Sequence, residues 1–464
     1  MRKEYLNSMT TNNLVHIVSL GCARNDTDSE NLAGQLVADG FGLTDDPSRA
    51  DVVLVNTCGF IDAAKKDSID TLLALSDLRS AGHPVKVIAV GCLAQRYGAE
   101  LGESLPEVDA VLGFGDYPQI GHRLRGVLAG DSAGEPAAGR TWATGFDTWH
   151  PGLRRRLDAG PSAPLKIASG CDRRCAFCAI PAIRGPYRSR PVDDIVAEAR
   201  WLVTQGVREV MLVSENSSSY GKDRGDGRAL ETLLHQLGDI DGLDWVRVSY
   251  LQPAEIKPSL LEAMVATPNV VPYFDLSFQH ASGPLLKRMR RFGDADAFLG
   301  LLARVRELST KAGVRSSFIV GFPGETDGDL ETLKGFLERA GLDAIGVFGY
   351  SDEEGTLAHG MNGHLPQDVI DERVSAMLDL TAWLTEARAA DRIGEPVQVL
   401  VESVGDAIVG RSAHQAPEVD GTTTLTCPDG VTPPRVGDIV SAEITATDGV
   451  DLIARTTHPR VQRA

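Results

Sequence analysis

Three near-continuous apolar stretches open the chain: residues 14–20 (LVHIVSL), 51–56 (DVVLVN) and 85–90 (VKVIAV). Each is short and bounded by turn residues, the pattern of strands covered on both faces. Helical patterns fill the gaps. The first is expected to begin at Thr27-Asp28-Ser29-Glu30, which has the form of a capping box, and to run to about Asp39. The next two are expected over 61–80 and around 93–103. The order β-α-β-α-β-α predicts a Rossmann-like parallel sheet domain over 14–125. Residues 126–163 are rich in Gly, Pro and Ala and lack sustained periodicity. They read as a linker, with a strand-like stretch around Thr141–Thr148.

From Leu165 a second alternating series begins. Strands are predicted at 165–168, 209–214, 245–250, 273–278, 315–321 and 344–350. Helices are predicted over 191–205, 228–237, 256–266, 283–290, 295–311 and 327–340. Such a series has fewer units than the eight of a closed barrel, so an open, partial β/α barrel is expected over 164–392. A long helix spans about 366–392. After Gly394-Glu395-Pro396, short alternating runs separated by turn signals predict a small all-β barrel over 393–464. The fold class is α/β, with that all-β module at the end.

The 464 residues are 42% hydrophobic, enough to build real cores. No apolar run approaches the ~18 residues of a membrane span. The segment MRKEYLNSMTTNN carries charge but no apolar stretch, so no secretory leader is expected. The formal charge is −18, from 46 basic and 64 acidic residues. That argues against a general nucleic-acid binder and suits a basic partner or simple solubility.

Cysteine sharpens the picture. There are seven, an odd number in a long chain, which favours reduced thiols in a cytoplasm over a disulfide framework. Cys171, Cys175 and Cys178 form CxxxCxxC directly after the first strand of the second series, at the mouth where barrel active sites lie. Three thiolates on one loop can hold three irons of a cubane cluster and leave the fourth open. Zinc is the competing reading, but a structural zinc closes its tetrahedron with four ligands, and no fourth Cys or His lies nearby in sequence. Cys22, Cys58 and Cys92 sit one or two residues past the first three strands, in SLGC, VNTC and AVGC. A lone cysteine at a strand end is more often a small core residue. Three at equivalent positions of a parallel sheet meet in its ligand crevice, where following helix N-termini favour thiolate. Cys427 has no such company and reads as structural.

CxxxCxxC with an aromatic before its last cysteine resembles the radical S-adenosylmethionine (SAM) superfamily. The two three-cysteine sets, with a terminal β barrel, resemble the methylthiotransferases over nearly the whole chain, from about Leu14 to Ile453. SLGCARND, NTCGF, GCDRRCAFCAIPAIRG and IVGFPGET carry the resemblance. It implies two 4Fe–4S clusters, one on Cys22, Cys58 and Cys92 and one on Cys171, Cys175 and Cys178. It further implies SAM on the open iron of the second cluster, a 5′-deoxyadenosyl radical that abstracts hydrogen, and sulfur presented at the first cluster. The β barrel is then similar to a TRAM domain that recognises substrate. By resemblance, Gly321 and Pro323 lie near the SAM adenine, Phe177 packs on the adenine or covers the cluster, and Glu215 and Gln279 contact SAM.

Within the family, three stretches are similar to the branch that modifies an aspartate β-carbon of ribosomal protein S-twelve rather than tRNA: the Gln-His of residues 273–291, GVFGYSDEEGTLA and IPAIRGPYRSRP. Departures stand at Ser169, at Ser277-Phe278 and at Ser214-Glu215-Asn216. From Gly394 onward there are ten acidic and five basic residues. A tRNA-binding module would need the reverse balance, whereas a basic ribosomal protein would be attracted. By contrast, residues 152–190 carry nine basic and two acidic residues, which suits an anionic cluster and a carboxylate ligand. His280 reads as a hydrogen-bonded structural histidine. Lys287, Arg288, Arg290 and Arg291 read as a solvated helix face. Two alternatives stay open: a tRNA methylthiotransferase with the same chemistry, and a zinc-stabilised RNA- or ribosome-binding factor without catalysis. The expected partners are S-twelve and an electron donor such as flavodoxin or ferredoxin. No membrane and no nucleic acid are expected, and the expected state is a cytoplasmic monomer.

Overall fold

A computed structural model describes residues 13–79, 82–130, 152–417, 419–428 and 432–457. The strand-like stretch around Thr141–Thr148 lies outside the described residues. The chain forms two compact units, one of residues up to Asp158 together with Ala182–Pro186, the other of Ala159–Pro181 together with the chain from Tyr187.

The first unit is a parallel sheet with helices between its strands: β1 (Leu14–Ser19), α1 (Ala23–Ala38), β2 (Gly42–Leu43), β3 (Val52–Thr57), α2 (Asp62–Ser76), β4 (Lys86–Val90), α3 (Gly91–Ser104), β5 (Ala110–Val111) and α4 (Ile120–Ala129). The strand order is β2-β1-β3-β4-β5, parallel throughout. Every residue of β3 is buried, as an apolar run at the centre of a two-sided sheet requires. The order reverses between β1 and β3, and such a switch point opens a crevice at the carboxyl ends of the strands.

One expectation fails here. Helix α1 begins at Ala23 with Cys22 as its N-cap, not at Thr27. The capping-box pattern is misleading because Thr27 and its neighbours are buried inside the helix. The Thr27 hydroxyl donates back to the Ala23 carbonyl, and Asp28 and Glu30 receive buried arginines, Arg184 and Arg154. The helix over 61–80 is also shorter as an α-helix, ending at Ser76 in a 3-10 turn over Asp77–Arg79. Helix α4 runs to Ala129, into the segment that lacks periodicity, and Arg154 and Arg156 beyond it pack on Glu30 of α1.

In the second unit, β6 (Ser162–Lys166), β9 (Glu209–Val213) and β10 (Trp245–Val248) form one parallel sheet, and β11 (Tyr273–Asp275), β12 (Gly313–Val320) and β13 (Ala344–Gly349) another. Bridges Val246–Val270 and Leu251–Leu276 join them edge to edge, giving an open run of six strands. The helices between are α6 (Val192–Thr204), α7 (Ala229–Gly238), α8 (Pro258–Ala266), α9 (Gly283–Arg288), α10 (Ala295–Leu308) and α11 (Asp327–Ala340). A large apolar core lies inside, with the rings of Phe278 and Phe336 in contact with each other and with those of Phe298 and Phe318. Between β6 and α6, the short β7 (Ala168–Ser169) and β8 (Arg188–Ser189) pair antiparallel, and α5 (Ile180–Arg184) lies between them in sequence.

Helix α12 (Gln367–Ala390) leads into a closed barrel of β14 (Pro396–Val404), β15 (Ile408–Ser412), β16 (Thr423–Thr426), β17 (Ile439–Asp448) and β18 (Asp451–Thr456). A buried ion network fixes it to the strand run: Glu209 at the start of β9 receives both Arg247 and Arg411, and Arg247 also donates to the Ala413 carbonyl. Among the described residues no helix is long and apolar enough to cross a membrane.

Two candidate three-cysteine centres

The first centre lies at the carboxyl ends of β1, β3 and β4, which are neighbours in the sheet. Cys22 caps α1, Cys58 directly follows β3, and Cys92 is the second residue of α3. The loops touch. A Cβ on Gly21 would sit 2.8 Å from the Cys58 Cβ and 3.1 Å from its sulfur, and Gly21 has φ +99°. A Cβ on Gly59 would fall 2.7 Å from Leu93 Cα, and one on Gly91, at φ +91°, 2.6 Å from the Thr57 carbonyl oxygen. Glycine alone allows such approach. Asn25, buried in the first turns of α1, donates to the Leu20 carbonyl at 2.7 Å and the Thr57 carbonyl at 3.2 Å. It thereby ties the Cys22 loop to the Cys58 loop, and its side-chain oxygen lies 3.9 Å from the Cys92 sulfur.

The charges around these thiols come from arginine. Burial pushes the Cys92 thiol up to about 11, against the pull of Arg184, and it also raises Cys58. Desolvation therefore outweighs the helix ends that sequence suggested would favour thiolate. Buried thiols of this kind ionise when a metal takes the place of the proton. The donor set fits an iron–sulfur cluster: three free cysteines on three touching loops, with a cation beside them. Among the described residues no three His, Cys, Asp or Glu side chains converge on one ion. A cubane does not ask for that, since each thiolate binds a different iron.

The second centre hangs on β7. Cys171 follows β7 by two residues and is half-buried, as are Cys175 and Cys178. The loop is held by its backbone: the Ala176 N–H donates to the Met289 carbonyl at 3.0 Å, and the Ala358 N–H to the Ala176 carbonyl at 2.8 Å. Asp172 accepts from the Tyr187 N–H at 3.0 Å. Burial raises the Cys171 thiol to about 11, with the Arg173 N–H drawing it down and Cys175 and Glu215 raising it further. Arg291 is buried and places Nη1 3.7 Å from the Cys175 sulfur while also donating to the Ser277 carbonyl. Arg173 pairs with Glu255, which also binds Ser219, Asn216 and Lys222. This donor set fits a cluster with one open iron.

The other sequence candidates lie at several places in the second unit. Phe177 is half-buried against the core of the second unit. Glu215 lies close enough to Cys171 to act on its charge. Gln279 is half-buried at φ +73°, a left-handed conformation that costs a non-glycine residue energy and gathers at functional sites. Gly321, at φ +79°, donates its N–H to Glu325 at 2.7 Å, and the Pro323 carbonyl accepts from Arg288. His280 is wholly buried. Its Nδ1 accepts from the Ser282 N–H and its Nε2 lies 3.2 Å from Glu325, which in turn binds Arg373 at 2.5 Å. It braces the loop at 321–325 and is structural. The basic run at 287–291 is not a solvated face throughout. Lys287, Arg288 and Arg290 are exposed, but Arg288 caps a carbonyl of that loop and Arg291 is buried against Cys175. Cys427 is a free thiol just past β16.

Sequence reasoning passed over Asn25 and Arg184 and placed Arg291 on a solvated helix face. Asn25 is signalled only by its place three residues after Cys22. Arg184 appeared merely as part of the local basic balance over 152–190.

Three family models match the chain: Uncharacterized protein family UPF0004 over residues 14–113, the Radical SAM superfamily over 165–337 and the TRAM domain over 393–456. A Cutibacterium acnes protein described as ribosomal protein uS12 methylthiotransferase RimO is 56% identical, covering 95% of this chain and 97% of its own. Proteins of the same description from a Nocardioides species and from Kineococcus radiotolerans are 56% and 53% identical, over 95% and 96% of this chain and 96% and 97% of theirs. Among solved structures, the radical SAM methyltransferase TsrM from Kitasatospora setae superposes with a TM-score of 0.54 at 16% identity, covering 72% of this chain and 73% of its own. That likeness is one of fold.

Proposed function

The chain belongs to the family of ribosomal protein uS12 methylthiotransferases, and from that membership we propose that it replaces a hydrogen on the β-carbon of a uS12 aspartate with a methylthio group. The observation that carries the reading is the presence of two separate three-cysteine sets in one chain, one past the ends of three parallel strands and the other on the loop after β7. One centre would suffice for a hydrogen abstraction. The second supplies the place for sulfur.

Cys171, Cys175 and Cys178 would hold one 4Fe–4S cluster, and Cys22, Cys58 and Cys92 the other. When bound, the clusters and SAM supply a one-electron cleavage that makes a carbon radical, and a site for sulfur and methyl. This is the chemistry that an aspartate β C–H demands, since it is too weakly acidic for a side-chain base. The residues of the chain do the positioning. Arg291 and Arg173 set positive charge beside the second centre, Glu255 orients Arg173, and the Glu325–Arg373–His280 network fixes the loop bearing Gly321 and Pro323. Phe177, Glu215, Gln279, Gly321 and Pro323 would contact SAM. The β14–β18 barrel, acidic in sequence, would dock the basic substrate. A flavodoxin or ferredoxin would deliver the electron, and the enzyme would work as a cytoplasmic monomer without nucleic acid.

The test is reconstitution under anaerobic conditions with iron and sulfide, then reaction with SAM and a reductant. uS12 and unmodified tRNA are offered side by side and read by mass spectrometry. A methylthio gain on the uS12 aspartate is expected. A gain on tRNA alone, or zinc in place of iron with no SAM cleavage, overturns the reading.

A further inference from the structure

Arg184 lies six residues beyond Cys178 in sequence, yet it belongs to the first unit. Its guanidinium is almost wholly buried, with 2% of the side chain exposed. Nη1 donates to Asp28 at 3.0 Å and Nη2 to the Asn25 side-chain oxygen at 2.8 Å, and the group stacks over the Phe114 ring with its carbon 5.0 Å from the ring centroid. Three contacts of different kinds thus hold one orientation. That orientation turns the cation toward sulfur: the same Asn25 oxygen that accepts from Nη2 at 2.8 Å is 3.9 Å from the Cys92 sulfur.

A buried arginine can be merely structural, and the same helix offers the comparison. Arg154 and Arg156 close on Glu30, two residues further along α1 than Asp28. Arg184 differs in standing at the sulfur end of the helix. Cluster potentials respond to local charge and to hydrogen bonds at the sulfurs, and each electron added makes a cluster more anionic. A fixed cation in a low-dielectric site stabilises the more negative state.

We propose that Arg184 is a positioning and charge-compensating residue of the amino-terminal cluster, holding its reduction potential up. The inference rests on the reading that Cys22, Cys58 and Cys92 bind that cluster. Asp28 sets the orientation of the guanidinium and tempers its charge, and Asn25 couples it to the loops that carry the thiols.

The test uses the full chain with Cys171, Cys175 and Cys178 replaced by Ala, so that a single cluster is read. Midpoint potential is followed by EPR during redox titration, together with iron and sulfide content. Arg184→Gln should shift the midpoint to a more negative value at unchanged iron content. Arg184→Lys, which keeps the charge, should recover most of the shift. Asp28→Asn, which keeps the arginine and removes its counter-charge, should move the midpoint the other way. Equal midpoints across these proteins at equal iron content overturn the inference. Should the Gln variant load no cluster, an unchanged midpoint in Asp28→Asn overturns it alone. Failure of the parent protein to bind any cluster would instead sink the assignment of the three cysteines.

Discussion

Arg291 and Cys175 are joined across 116 positions of sequence, with Nη1 of the arginine 3.7 Å from the sulfur and its other nitrogen on the Ser277 carbonyl. The carbonyl contact fixes the guanidinium, so the charge beside the sulfur does not wander. Replacing Arg291 by Gln removes one charge-assisted hydrogen bond, worth about 1.5–3 kcal/mol. SAM cleavage should fall by roughly ten-fold or more. Iron content near that of the parent protein, measured alongside, separates this effect from loss of the cluster.

The two centres should fail differently. Cys171→Ala removes a ligand of the centre that cleaves SAM, so 5′-deoxyadenosine formation should stop. Cys58→Ala leaves that centre intact, so cleavage should continue while no methylthio group reaches uS12. Chromatography of 5′-deoxyadenosine and mass spectrometry of the substrate read the two steps separately. Equal loss of cleavage in both variants would contradict the division of labour.

Gly91 stands at φ +91°, and a Cβ there would lie 2.3 Å from the Asn56 side-chain oxygen and 2.6 Å from the Thr57 carbonyl. Both neighbours are held, Asn56 by its bonds to the Asn25 carbonyl and Ser29, and Thr57 by its bond to the Val90 carbonyl. Gly91→Ala should therefore cost about 1–3 kcal/mol from conformation alone, with the contact adding to it. Reduced iron loading at the amino-terminal centre, and a lowered melting temperature of the apoprotein, are the expected readouts.

The strands were legible because their apolar runs are short and sharply bounded, and the long helices because their period is clean. The CxxxCxxC loop was legible from spacing alone. Cys22, Cys58 and Cys92 could be gathered because a parallel sheet brings equivalent strand ends together. The start of α1 was misread because buried polar residues mimic a cap: Thr27, Asp28 and Glu30 look like surface signals, but each serves an internal bond. Arg184 and Arg291 were hidden for a related reason. An arginine in sequence is by default a surface group. Only the fold shows which one is buried against sulfur.

The network that fixes the β14–β18 barrel gives a prediction in pH. Burial alone would raise the Glu209 carboxyl, but Arg411 and Arg247 outweigh it and bring it from 4.5 down to about 2. A carboxylate lowered in the folded state contributes stability that is fully present above its unfolded value, about pH 4.5, and is lost as pH falls toward 2. Glu209→Gln leaves two buried guanidinium groups facing a neutral amide, and breaking a buried pair of this kind costs about 3–5 kcal/mol. In denaturant titrations the gap between parent and variant should be widest near neutral pH and narrow steadily below pH 4.5. Arg411→Met should behave as the milder lesion, because Arg247 still pairs with Glu209 at 2.8 Å. A gap that stays constant down to pH 3 would show that Glu209 acts through packing and not through its charge.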